Sequence, residues 1–390
     1  MKTVKIGIAP DSFKGTLTAL EAAGQIEKGL RRGLSNISVR KIPMADGGEG
    51  TVRAIVESTG GRFCSRKVQD PLGRQIKAFY GLSGDGATAV IEMAAASGLA
   101  LLKPGERNPA VTSTFGTGEL IKDALKHKPR KILVGIGGSA TNDGGTGMAM
   151  ALGVKFMDAS GKPVAQGGEA LKNLAHIDMS GLDKRINNVS IEVACDVDNP
   201  LTGRHGAAQV YSPQKGATPS MVKQLDAALK HLAEVISRDI GLNILKVPGS
   251  GAAGGLGAGL MAFLGAELRP GIDIVIDSVK LRRRLKGCDL VITGEGMMDD
   301  QTVYGKTPAG VAKVAGELKI PVIAICGSLG KNVNKVRSVG IQTYFSSTNK
   351  CMSEDEIPTN GPAMLADTAE QVGRVLALNF KGRTRLKTKK

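Results

Sequence analysis

The chain has 390 residues, 42% of them hydrophobic, with 53 glycines, 8 Phe, 4 Tyr and no Trp. It is too long for one ordinary core and apolar enough to fill one, and its glycines gather in short loops, which suggests two domains and a ligand-binding α/β protein more than a disordered chain. Fifty-two Lys and Arg against 36 Asp and Glu give a formal charge of +16, but no aromatic residues interleave with the basic ones and no recognition motif is present, which sets nucleic acid aside as a partner. The longest apolar run, 89–102, is broken by Glu92 and Ser97, so no membrane span is expected.

In chain order, "TVKIGIAPD" (3–11) reads as a first strand, too short and too soon ended by Pro10 to be a secretion signal. Residues 18–34 have helical spacing with Thr18 as a cap, 38–44 read as a second strand, and 48–59 as a second helix ended by Gly60-Gly61. The pattern then changes to three hairpin-like strands within 62–93, separated by "DPLGR" and "SGDGA" turns. A helix at 114–127, a buried strand at 131–137, a glycine-rich loop with a helix at about 145–152, a strand at 189–197 and helices at 219–238 and about 253–265 follow. From 289 the first pattern resumes: strand, glycine loop, a helix at 308–318, strands at 321–328 and 341–347, and a helix at 362–380.

The outer parts give five strands alternating with helices, the pattern of a flavodoxin-like doubly wound parallel sheet interrupted by an inserted second α/β domain. The expected division is 1–64 with 286–380 for the discontinuous domain and 65–285 for the insertion. The last ten residues carry six Lys or Arg and no acid, and read as a disordered basic tail. Five cysteines are scattered singly with no CxxC, which fits reduced thiols and a cytoplasmic setting.

Ligands of an open parallel sheet bind beyond the carboxyl ends of its strands. The loops expected there are "APDSFKGT" (9–16), "MADGGEGT" (44–51) and "TGEGMMDDQT" (293–302). All mix glycine with carboxylates, and the first adds Lys14. Glycine-rich turns leading into helices expose amide N–H groups that bind phosphates. Carboxylates beside them need a bridging cation such as Mg²⁺, and a nearby lysine neutralises charge that develops in transfer. The combination reads as phosphoryl transfer from a nucleotide; the plainer reading of Asp11, Asp46 and Glu49 is as caps and turn formers. Formal motifs do not decide it. "GSGAAG" (249–254) and "GIGGSA" (135–140) match dinucleotide fingerprints only loosely, and "YGKT" (304–307) lacks the first glycine of a P-loop. The four histidines are dispersed, and there is no G-x-S-x-G elbow.

The stretches "APDSFKGTLTA", "PMADGGEGT", "TSTFGTGELI", "GIGGSATNDGGTGMAMALG", "ACDVDNPLTG", "PQKGA", "GAAGGLGAGLMAFLGAEL" and "TGEGMMDDQTVYGKTPAGVA" together resemble the bacterial type I glycerate kinase family, from the N-terminus to about residue 378. The resemblance implies an enzyme that uses ATP and Mg²⁺ to phosphorylate glycerate, with position 2 favoured as the acceptor hydroxyl. A kinase for a related small hydroxy acid, or a non-catalytic glycerate- or nucleotide-binding regulator, stands as the alternative. One departure bears on that choice: Met297 stands where the family has arginine. Oligomeric state is left open.

On this resemblance, the roles distribute as follows. Lys14 with Ser12 is expected to hold the substrate carboxylate, with Glu295 and Lys306 also on the substrate side. Asp196 or Asp46 would serve as the base, with Lys14 counted among the catalytic groups; the plainer reading of Asp196 is a turn former before Asn199-Pro200. Asp46, Glu295 and Asp300 are the Mg²⁺ candidates. The nucleotide phosphates would rest on Gly137, Gly138, Ser139 and Thr141, with Asn142 and Asp143 ordering that loop.

Overall fold

The computed structural model describes residues 3–351 and 353–378; the basic segment 381–390 lies outside the described residues. The chain forms two compact units, one built from the residues up to Met44 together with those from Lys280 onward, the other from Ala45–Val279.

The first unit is organised by a five-stranded parallel sheet. From edge to edge its strands are Ile37–Lys41, Val4–Ile8, Leu290–Thr293, Val322–Cys326 and Thr343–Ser346, so the order in chain sequence is 2-1-3-4-5. Val4–Ile8 lies between neighbours far apart in the chain, with Ile6 opposite Leu290 on one side and Val39 on the other. Alternate residues of a strand face opposite ways, and this strand uses both faces. Ile6 and Ile8 join Ala22, Ile26 and Leu30 of helix Ala19–Gly33 and Leu365, Ala369 and Val372 of helix Ile357–Ala377. Between them, a Cβ on Gly7 would meet the Leu285 side chain of helix Leu281–Leu285. Helices therefore cover both faces of the sheet.

Helix Ala19–Gly33 begins where the sequence says it should. Thr18 accepts from Glu21 N, and the Glu21 carboxylate accepts in turn from Thr18 N at 2.8 Å, a reciprocal capping box. This helix lies close against Ile357–Ala377. A Cβ on Gly29 would stand 1.9 Å from the Ala366 carbonyl oxygen, and one on Gly33 2.3 Å from that of Glu370.

The second unit holds a six-stranded sheet in the order Glu267–Arg269, Ser190–Ala194, Lys131–Gly135, Thr88–Glu92, Gln75–Leu82, Arg62–Gln69. The first four run parallel, and the last two pair antiparallel. The three strands read as hairpin-like at 62–93 match in position. Residues 45–64, expected in the first unit, belong to the second. The reason is local: helix Thr51–Thr59 sets Val52 and Val56 over Gly81, and Val52 N donates to the Glu92 carboxylate at 2.9 Å. The helix read at about 253–265 spans Ala252–Leu264, but its first turn is broken by Ala253, Gly254 and Gly255, all at positive φ (53°, 71° and 86°). Two short elements were illegible in the sequence: the strand Glu267–Arg269 and the hairpin of Lys155–Met157 with His176–Asp178.

The variant Gly29→Ala tests the helix contact. It should lower unfolding stability by about 1–3 kcal/mol, the usual penalty of forcing atoms into a packed interface, as a lower urea midpoint at unchanged slope.

Candidate active site

In the first unit, two strand-end loops are tied together by backbone. Ala9 N donates to Ile292 O and Asp11 N to Gly294 O, both at 2.8 Å. Gly294 allows this, because a Cβ there would sit 1.9 Å from Ile325 O. The Asp11 carboxylate accepts from Ser12 N (2.6 Å), from Ser12 Oγ (3.3 Å) and from Thr307 Oγ1 (2.5 Å). Glu295 is buried and accepts from Thr302 Oγ1 at 2.7 Å. Lys306 Nζ lies 4.0 Å from Glu295 Oε2 and 3.5 Å from Asp299 Oδ1. Lys14 is exposed, and its backbone N is 3.5 Å from where a Cβ on Gly296 would be. Ser12, Lys14, Glu295 and Lys306, expected together from the sequence, share this one neighbourhood. Asp300 is turned to other partners, Asn332 Nδ2 at 3.3 Å and Lys335 Nζ at 3.4 Å, and these hold its carboxyl below the ordinary aspartate value. Met297 is 53% exposed.

Burial pushes the Glu295 carboxyl up to about 7; the Thr302 hydroxyl and Lys306 oppose that rise, and the charges of Asp11 and Asp299 add to it. A carboxyl poised there suits proton exchange near neutral pH.

In the second unit, the carboxyl end of strand Ser190–Ala194 leads to Asp196, whose Oδ1 accepts from Gly271 N at 2.9 Å. Asp46 reaches the same place. A Cβ on Gly271 would lie 2.1 Å from Asp46 O, and one on Gly47 would lie 2.5 Å from the Gly271 Cα. Glycine at both positions is thus a steric requirement that lets the Asp46 backbone pack against Gly271, close enough for the Asp46 charge to act on Asp196. Although solvent reaches Asp196, the protein atoms around its carboxyl raise its pKa, the charges of Asp46 and Asp273 raise it further, and the Gly271 N–H opposes them.

The loop after strand Lys131–Gly135 has two layers. Gly137 and Gly138 are exposed, while Ser139, Thr141, Asn142 and Asp143 are buried. Asp143 is the hub. Its carboxylate accepts from Thr114 N and Thr114 Oγ1, both at 2.8 Å, and from Gly145 N and Gly147 N, both at 3.2 Å. Burial raises its pKa, and these same donors pull it down. Beneath the loop stands Lys215, 1% exposed, with Nζ 3.1 Å from Ser139 Oγ and 2.6 Å from Thr141 O. Burial lowers its pKa to about 7 against the pull of the Asp143 charge. Sequence reasoning gave Lys215 no role; its only signal was the short stretch "PQKGA" (213–217).

Among the described residues, no group of three or more His, Cys, Asp or Glu side chains is arranged to hold a metal ion. Magnesium that travels with a nucleotide needs less, one or two carboxylates with the phosphates supplying the rest. Asp46 in the second unit and Glu295 in the first are carboxylates of that kind.

The sequence profile of the Glycerate kinase family matches residues 6–377. The chain belongs to the glycerate kinase family. A glycerate kinase of Halalkalibacterium halodurans is 53% identical over 374 residues, which is 96% of this chain and 98% of the relative. The glycerate 2-kinase of Escherichia coli K12 is 48% identical over 378 residues, 97% of this chain and 99% of the relative. A crystal structure of a glycerate kinase 2 candidate from Salmonella typhimurium LT2 superposes with a TM-score of 0.89 at 50% identity, covering 96% of this chain and 98% of that one. The family, the α/β class and the status of the chain as an enzyme, all expected from the sequence, are borne out, and the reading as a non-catalytic regulator falls away. No helix among the described residues is long and apolar enough to cross a membrane.

The raised Glu295 pKa has a consequence for stability. The folded state holds its proton more tightly than an unfolded chain with the ordinary value of 4.5. The resulting stabilisation is complete below about pH 4.5 and is lost as pH rises through about 7. Glu295→Gln, which keeps the neutral shape, should melt above the parent at pH 8, and the gap should close toward pH 4.5; melting temperature against pH for both proteins is the measurement.

Proposed function

We propose that the chain transfers the γ-phosphoryl group of ATP to the 2-hydroxyl of D-glycerate, giving 2-phosphoglycerate and ADP. The observation that carries the proposal is the 137–143 loop: an exposed glycine pair on a buried, hydrogen-bonded base, the form a backbone needs to approach a polyphosphate. The naming of the Escherichia coli relative as a 2-kinase supports the choice of hydroxyl. The substrate follows from the naming of the other relatives.

In this reading Gly137, Gly138, Ser139 and Thr141 receive the phosphates, while Asn142 and Asp143 keep the loop in shape. Lys14 and Ser12 bind the glycerate carboxylate, assisted by Lys306. Asp196 takes the proton of the acceptor hydroxyl; its raised pKa makes it a better base near neutral pH than an ordinary aspartate. The hydroxyl oxygen then bonds to the γ-phosphorus as the bond to the bridging oxygen breaks, and ADP leaves with that electron pair. Asp46 in the second unit or Glu295 in the first is the carboxylate that would hold Mg²⁺, which would supply positive charge to the phosphates during transfer. Five unpaired cysteines accord with a reducing, cytoplasmic setting.

Gly137 offers a clean test, since a Cβ there meets nothing within 4 Å and its φ is ordinary. Gly137→Val should fold normally yet raise the KM for ATP about tenfold or more, one lost phosphate contact being worth over 1.4 kcal/mol. An unchanged ATP KM would remove the loop from the nucleotide site.

Asp196→Asn should lower kcat by about 10²–10⁴, the range of a lost general base, while Lys14→Met should act mainly on the glycerate KM. Phosphorus NMR of the product from ATP, Mg²⁺ and D-glycerate decides between 2- and 3-phosphoglycerate, and a panel of other small hydroxy acids bounds the substrate range around the exposed Met297.

A further inference from the structure

A fully buried lysine is an expensive core residue unless its charge is used. Lys215 is 1% exposed, and its closest polar contacts are neutral oxygens, Ser139 Oγ and Thr141 O. An apolar side chain would fill the space at less cost, so the ammonium calls for an explanation.

Its backbone is fixed with unusual rigour. Lys215 closes a short helical turn, Pro213–Lys215, that ends at Gly216 with φ of 96°. A Cβ on Gly216 would lie 2.3 Å from Arg107 O, so the turn is pinned against the Arg107 backbone. From this one turn and the residue before it, two side chains reach the glycine-rich loop. Lys215 takes Ser139 and Thr141, and Ser212 Oγ donates to Asn142 Oδ1 at 3.0 Å. Asn142 Nδ2 is left buried with no hydrogen-bond partner.

The loop is gripped from a second direction as well. Ser139 Oγ donates to Ala253 O at 3.2 Å and accepts from Thr141 N at 3.1 Å. Ala253 is the non-glycine residue of the left-handed run that breaks the helix start, and a Cβ on Gly254 would lie 2.0 Å from Thr141 O. Ser139 thus stands between an ammonium that donates to it and a strained carbonyl that accepts from it, and the chain just before it carries the exposed Gly137 and Gly138.

We propose that Lys215 is a positioning residue for the nucleotide: from inside the second unit its ammonium fixes the shape of the 137–143 loop and so sets how tightly that loop holds a polyphosphate. This rests on the reading of that loop as the nucleotide site. Lys215 itself need not touch the phosphates. It acts through Ser139 and Thr141, and its charge adds a favourable long-range pull on the anion.

The test is a double-mutant cycle of Lys215→Met and Ser139→Ala, read as separate KM and kcat values and as melting temperature. Lys215→Met should raise the ATP KM about tenfold or more, the loss of one charge-assisted hydrogen bond, with the glycerate KM unchanged and a smaller change in kcat. Ser139→Ala should raise the ATP KM in the same direction. Because Lys215 acts in part through Ser139, the shift in the double variant should fall short of the sum of the two single shifts. A merely structural lysine would lower the melting temperature and the active fraction and leave the ATP KM in place; that result overturns the proposal, as does full additivity of the two shifts. Should Lys215→Met fail to fold, Ser139→Ala keeps the question open to decision, since an unchanged ATP KM there breaks the proposed link. Gly137→Val separates the two levels: if it too leaves the ATP KM unchanged, the nucleotide assignment of the loop has failed, whereas a raised KM with silent Lys215 and Ser139 variants rejects the positioning role alone.

Discussion

Asp143 is a fully buried carboxylate, and the glycine-rich loop of the second unit is built on it. A buried anion is tolerable only when donors replace the water it lost. Here they come from two segments: Thr114 through its backbone and hydroxyl, and Gly145 and Gly147 through their amides. The same bonds therefore set where the loop turns and lock it to the start of helix Phe115–Ala124. Glycine is needed for this. At Gly147 a Cβ would stand 2.2 Å from Ser113 Oγ and 2.9 Å from Asp143 Oδ2. The exposed pair Gly137 and Gly138 can remain bare because the layer beneath them is rigid.

The first unit reaches a comparable result by different means. Its loops are joined backbone to backbone at Ala9–Ile292 and Asp11–Gly294, and three carboxylates, Asp11, Glu295 and Asp299, gather near one lysine. Burial pushes the Glu295 carboxyl up, and the like charges of Asp11 and Asp299 add to that rise. The chain has a net charge of +16, yet in this neighbourhood carboxylates outnumber the lysine among them, so the overall charge says little about the local field.

The sheet of the first unit was legible in the sequence because three of its strands, Val4–Ile8, Leu290–Thr293 and Val322–Cys326, are short apolar runs soon followed by glycine or proline, and its helices carry caps such as Thr18 and apolar spacing. The neighbourhood of Ser12, Lys14, Glu295 and Lys306 followed from the rule that ligand loops lie at strand ends. What stayed hidden depends on contacts between distant segments. Lys215 is a charged residue in a polar turn, and nothing in its neighbours along the chain says that it is buried. Glu267–Arg269 is a three-residue strand with charge at both ends, held in place by Arg269 pairing with Glu192 and Asp277. Helix Thr51–Thr59 was read correctly as a helix but given to the wrong unit, because only the three-dimensional fit of Val52 and Val56 over Gly81 decides where its apolar face goes.

The strand Val4–Ile8 lies inside its sheet, and one of its neighbours, Leu290–Thr293, is encoded almost three-quarters of the chain later. During synthesis the ribosome therefore delivers the whole of Ala45–Val279 while the N-terminal strand still has an open edge. The segment inserted in the gene product is the one that can finish first, and the enclosing unit must wait, half assembled, for its remaining strands. An unpaired apolar edge held that long is a target for wrong pairing, and that exposure falls on the outer sheet and not on the larger insertion.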